Sequence, residues 1–192
     1  MKEIDALIEG LGLEKRLTLE DIPNIDLYMD QVTQLFENIY SESKRDPEDK
    51  ILTKTMINNY SKAKLLFPIK NKKYSKEHLL MISFIYQLKG GLSINDIKAV
   101  LDKMNAKFEQ DQGGLAEVYN GYLSLHDKNS AGFKENVKTI DNMVNQELDN
   151  INDNDQEYFR SLLLITTLVN QSNMYRKLAE KLVDELKEVD EG

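Results

Sequence analysis

Three kinds of side chain recur between residues 54 and 73. Lys54, Lys62, Lys64, Lys70, Lys72 and Lys73 carry ammonium groups, Asn58 and Asn59 carry carboxamides, and Thr55 carries a hydroxyl. A carboxamide donates and accepts in one plane, which matches the N6/N7 edge of adenine. A lysine ammonium is a point charge that satisfies phosphate and displaces condensed counterions. A hydroxyl donates to a phosphate oxygen and fixes register without reading sequence. Such a set can read a duplex, with amides on base edges and cations on the backbone. The plainer account of the same residues is a solvated polar face, in which the asparagines are simply exposed and lysines 70–73 keep a loop soluble.

The charge distribution bears on that choice. The chain of 192 residues has a net charge of −8, the wrong sign for a nucleic-acid binder taken whole. Between Lys44 and Lys107, however, 14 Lys and Arg face 6 Asp and Glu, which leaves 11 against 27 elsewhere. A basic middle between acidic flanks is the asymmetry expected when one segment meets phosphate and the others do not.

Other chemistries are poorly served. With no cysteine, disulfides, thiolate metal sites and cysteine catalysis are excluded. The two histidines, His78 and His126, lack metal-type spacing, and a surface or cap role is expected for His78. No phosphate loop, dinucleotide fingerprint or nucleophile elbow occurs. The run from Asp149 to Glu157 lacks the central glycine and terminal glutamate of a calcium loop. A non-enzymatic protein without cofactor or metal is therefore expected. The acidic N-terminus has no apolar h-region, and Leu162–Val169 is too short to span a bilayer, so the expectation is a cytoplasmic chain with no membrane partner.

The elements that must position these side chains are helices. A composition rich in Leu, Lys, Glu, Ile and Asn with three prolines favours them. After a short helical pattern at Ile4, Leu7, Ile8 and Leu11, a helix is expected from Asp26, its cap, through Leu27, Tyr28, Val32, Leu35, Phe36 and Ile39. A polar loop around Pro47 follows. Thr53 or Thr55 caps a helix to about Lys64, ended by the LLFP run. IKNKKY (69–74) reads as a small hairpin or extended loop. Ser75 caps a helix broken at Gly90-Gly91, and Ser93 caps another. Beyond Phe108 the chain is helical, with weak breaks at Gly113-Gly114, Asp127–Ser130 and Asn150–Asp155.

That order has a counterpart. The segment TKTMINNYSKAKLLFPIKNKKYSKEHLLMISFIYQLKGGLSINDIKAVL (53–101) resembles the DNA-binding domain of MerR-type regulators. In that pattern a Thr-initiated recognition helix ends in an aromatic and Leu-Leu-x-Pro. A basic wing ending in Tyr follows, then a Ser-capped helix, then Gly-aliphatic-Ser-x-x-x-Ile. Thr55, Tyr60, Leu65, Leu66, Pro68, Tyr74, Ser75, Gly91, Leu92, Ser93 and Ile97 fall in register. The wider context is similar to a bacterial family of uncharacterised proteins containing such a domain. Three features depart from the pattern: Asn58 replaces an arginine, the wing lacks glycine, and the loop after the first helix is extended.

The resemblance implies a mainly α fold: a MerR-like winged helix-turn-helix over 26–107, after an N-terminal helical segment (1–25) and before an α-helical dimerisation or effector region (108–192). It implies a transcriptional regulator binding double-stranded DNA. The helix from Thr53 would lie in the major groove, presenting Lys54, Thr55, Asn58, Asn59, Lys62 and Lys64. Lys70, Lys72 and Lys73 would follow the flanking backbone. The last helix carries a stripe at heptad spacing, Ile165, Leu168, Ser172, Tyr175, Ala179, Leu182, Leu186 and Val189. It serves either a homodimer, through Ile165, Leu168, Tyr175, Leu182 and Leu186, or an intramolecular bundle with 115–125 and 133–148. Any effector would be a small organic molecule or a protein partner. A protein-interaction module on the same scaffold is the other functional reading.

Overall fold

The computed structural model describes residues 4–110 and 114–191. The architecture is mainly α: α1 (Ile4–Glu9), α2 (Met29–Tyr40), α3 (Lys54–Lys62), α4 (Lys76–Leu88), α5 (Ile94–Glu109), α6 (Leu115–Leu148) and α7 (Gln156–Glu191). Among the described residues the only sheet is a two-stranded antiparallel pair, β1 (Leu27–Tyr28) and β2 (Lys73–Tyr74). Leu27 faces Tyr74 and Tyr28 faces Lys73.

β1 corrects the expected start of the second helix. Leu27 and Tyr28 extend towards the lysine turn, and helix begins only at Met29, with Tyr28 rather than Asp26 at the cap. Pairing with β2 satisfies backbone groups that a helix would otherwise claim, and Leu27 is buried in the process. The Gln31 side chain supplies the first-turn acceptor, taking the Tyr28 N–H at 2.9 Å.

The main core draws on almost every element. Val32, Phe36 and Tyr40 of α2, Ile57 and Tyr60 of α3, Leu79, Leu80, Ile82 and Ile85 of α4, and Ile97 and Leu101 of α5 are buried together. Leu17 and Ile22 join from the N-terminal side, and Leu115 and Tyr119 from α6, so the core extends past both expected segment boundaries. One hydrogen-bonded chain ties these ends. The Tyr119 hydroxyl lies 2.8 Å from the Ser83 hydroxyl and donates to the Leu17 carbonyl at 2.8 Å. Burial pushes the phenol of Tyr119 far above its ordinary range and that of Tyr122 up to about 12.

α6 runs unbroken through Asp127–Ser130, where a break was expected. Val137, Ile140 and Val144 are buried further along the same helix, and packing outweighs the weak local signals. Of the expected break at Gly113-Gly114, Gly113 lies outside the described residues and Gly114 caps α6. α6 and α7 form an antiparallel hairpin across 149–155, held by Arg160 to Asp141 and Asn145 and by Asn136 to Gln171. No helix among the described residues is long and apolar enough to cross a membrane.

Candidate nucleic-acid interface

α3 is capped by Thr53, whose hydroxyl accepts the Met56 N–H at 3.1 Å; Thr55 lies exposed in the first turn. Ile57 and Tyr60 turn into the core. Their placement leaves Lys54, Thr55, Asn58, Asn59 and Lys62 on the outer face, at the 3/4 spacing of one helix side. The helix stops at Lys62, two residues earlier than expected. Lys64 follows in the left-handed region (φ 57°). The Leu65 N–H donates to the Tyr60 carbonyl at 2.9 Å and the Lys64 N–H to Ser61 at 3.1 Å, a Schellman cap. Lys64 is therefore an exposed cap residue and not part of the helix. The Asn105 amide of α5 fixes the cap by donating to the Leu65 carbonyl at 3.0 Å.

The lysine run 70–73 is a tight turn, resolving the choice between hairpin and loop. The Lys73 N–H donates to the Lys70 carbonyl at 2.9 Å, and Asn71 and Lys72 both have positive φ (54° and 59°). Two consecutive left-handed residues make a type I′ hairpin turn, usually Asn-Gly. Lys72 occupies the position that glycine would favour, and its side chain is exposed at the tip.

Both basic elements attach to the same short stretch. Lys73 Nζ sits 5.1 Å from the centroid of the Tyr28 ring, a cation–π contact. Lys54 pairs with Asp30 at the start of α2. Residues 27–30 thus carry the base of the lysine turn on one side and the first turn of α3 on the other. The same contacts occupy two of the nine expected contact residues.

One imidazole closes the base of the turn. His78, in the first turn of α4, accepts the Ser75 N–H at Nδ1 (3.1 Å) and lies 3.2 Å from the Phe67 carbonyl at Nε2, which therefore carries the proton. Burial lowers its pKa below the ordinary histidine value. His78 has the cap role expected of it, but it is buried rather than at the surface.

The loop from 41 to 53 between α2 and α3 is far longer than the 3–4-residue link of a compact helix-turn-helix. It is nevertheless pinned. Ile51 and Leu52 are buried, and Lys89 Nζ donates to the Ile51 carbonyl at 3.3 Å. The Ile51 N–H also reaches Glu37, whose carboxyl the Lys44 ammonium holds below the usual carboxylate range.

On α7, the residues assigned to dimerisation divide. Leu168 packs on the small cluster of Ile140, Val144 and Leu164. Ile165, Tyr175, Leu182 and Leu186 are exposed, Tyr175 at 72%. Leu162, Val169 and Leu178 are exposed beside them. The sequence placed Tyr28 in the apolar period of a helix and gave Asp30 no role, yet these two side chains touch Lys73 and Lys54 of the two basic elements. Nothing marked them, because Tyr28 reaches the turn through a strand pairing of two residues and Asp30 reaches Lys54 across space from the first turn of α2.

Residues 17–122 match a family model described as Domain of unknown function (DUF1836). The chain belongs to this family. The DUF1836 segment starts at Leu17, whose carbonyl takes the Tyr119 bond, and ends at Tyr122, three residues beyond Tyr119. The family unit therefore coincides with the main core and contains α3, the lysine turn and His78. Most of the α6–α7 hairpin lies beyond it. No curated protein and no solved structure matches the chain.

Proposed function

We propose that this DUF1836 protein is a DNA-binding transcriptional regulator in which α3 enters the major groove and the lysine turn follows the neighbouring backbone as a wing. The observation that carries this reading is the common mounting of α3 and the turn on residues 27–30. Asn58 and Asn59 would read adenine edges, while Lys62, Lys70 and Lys72 would neutralise phosphates. The winged helix-turn-helix likeness supports the same arrangement, although the 41–53 loop is long for it.

The reading includes a second copy of the chain docked on α7. Helix-turn-helix readers bind two half-sites, which calls for a two-fold dimer. Ser161–Tyr175 contains no charged residue, although most of it is solvent-facing, and it runs from the second turn of α7 to just past its midpoint. An isologous pairing sets the same face of both copies against itself, where an uncharged stretch avoids like-charge repulsion. Selection of bound duplexes from a random library by the purified protein tests the proposal. Enrichment of a two-fold symmetric motif is expected, and recovery of no duplex would overturn it.

A protein-interaction module is the second reading. It is favoured by the engagement of Lys54 by Asp30 and of Lys73 by Tyr28, which leaves fewer free cations for phosphate. Salt separates the two, because phosphate binding through these lysines weakens steeply with ionic strength, whereas a module in which the lysines are incidental keeps its affinity when they are replaced.

A further inference from the structure

A cleft of about 680 Å³ opens beneath the lysine turn, between the start of α4, the end of α5 and the start of α6. That volume lies within the range of roughly 300–1,000 Å³ typical of small-molecule sites. Phe67, Leu80, Phe108 and Leu115 form its apolar wall. The rings of Phe67 and Phe108 lie 5.7 Å apart, and Phe67 stacks on the His78 imidazole at 3.8 Å. The planes of Phe67 and Phe108 are tilted by 41°, so the half-buried wall is an open aromatic V that offers one ring face and one ring edge to a planar guest.

The rim carries Lys70, Lys73 and Lys76. None of the three forms an ion pair among the described residues. Four carboxylates, those of Asp26, Glu77, Glu109 and Glu117, also reach the rim, and the Ser75 hydroxyl donates to Glu77 at 2.7 Å. The first turn of α4 is already closed by the Ser75–His78 capping box, whereas that of α6 opens into the space under Gly114 (φ 102°), which has no side chain to cap its amides. Free amides at helix N-termini favour an anionic group.

We propose that this cleft binds a small aromatic carboxylate, its ring against Phe67 and Phe108 and its acid group among Lys70, Lys73 and Lys76. Lys70 belongs both to the cleft rim and to the phosphate contacts of the wing, while Lys73 of the rim rests on the Tyr28 ring. An occupied cleft draws Lys70 from the duplex, so the ligand weakens DNA binding. That last clause rests on the nucleic-acid reading; the binding site itself does not.

The test is titration of the ¹⁵N-labelled full chain with 1-naphthoate, followed by amide shifts. Saturable shifts at residues 70–78 and 114–117 with Kd below about 1 mM are expected. Two changes should each weaken binding about tenfold: the neutral analogue 1-naphthamide, and Lys76→Ala, which removes one rim cation. Ala116→Trp, which fills the cleft, should abolish it. The absence of saturable shifts at these amides, or binding indifferent to both variants, would overturn the site. If naphthoate binds but DNA affinity is unchanged by it, the coupling is overturned. If naphthoate binds and the protein binds no duplex at all, the nucleic-acid reading fails and the cleft stands.

Discussion

The imidazole of His78 lies 3.2 Å from the carbonyl of Phe67 through Nε2, and the two rings stack at 3.8 Å. Through this contact α4 grips the chain entering the lysine turn, and through Nδ1 it grips Ser75, where the chain leaves. Protonation of Nδ1 would cost the Ser75 bond and place a charge in the core. The folded-state pKa is accordingly lowered by burial. A depressed histidine pKa means that the unfolded chain binds more protons below its own pKa of about 6.5. The stability from His78 is fully present above that pH and is lost as pH falls towards the folded pKa. Urea midpoints at pH 7.5 and 5.5 should drop more for the wild type than for His78→Gln. An equal drop would show that His78 does not titrate with unfolding.

Tyr119→Phe should destabilise the fold by about 1–3 kcal/mol, because it strands the buried Leu17 carbonyl and the Ser83 hydroxyl. Chemical denaturation should show a lower midpoint with an unchanged m-value. An unaltered midpoint would mean that this bond does not tie the two ends of the DUF1836 core.

Lys64 and Lys72 both hold positive φ, which costs a non-glycine residue roughly 1 kcal/mol. Lys64→Gly and Lys72→Gly should each raise the melting temperature by about 2–4 °C. Lys72→Gly should also weaken duplex binding, separating stability from function at a single position. A fall in melting temperature for both would contradict the turn and cap geometry.

Ile165 and Tyr175 lie in the uncharged stretch of α7 and are exposed at 61% and 72%, so replacing them costs the folded monomer little. The wild type should sediment as a dimer at tens of micromolar, and Ile165→Asp with Tyr175→Asp as a folded monomer. A monomeric wild type would remove the second copy from the account.

The helices were legible in the sequence where an apolar period and a cap coincided. Thr53, Ser75 and Ser93 mark their helices because a short hydroxyl side chain ahead of a 3/4 apolar pattern is a local signal. β1 was not legible. Leu27 and Tyr28 fit the helical period of Val32 and Phe36, and only the distant partner Tyr74 makes them a strand. The unbroken α6 was hidden for a similar reason, since its polar middle carries no apolar period and packing at both ends sustains it. The candidate site was half visible. Residue type disclosed the lysines and asparagines, but not which of them the fold engages. The Lys54–Asp30 and Lys73–Tyr28 contacts depend on a pairing that no local spacing encodes.

The account is tested most directly by the salt dependence of duplex binding, measured by fluorescence anisotropy on the full chain. Affinity should fall steeply as salt rises, with the log–log slope losing about one unit for each of Lys62→Gln, Lys70→Gln and Lys72→Gln. Asn58→Ala should leave that slope unchanged and relax sequence preference. Duplex affinity indifferent to salt and to all three lysine changes, or no duplex binding at low salt, would contradict the account.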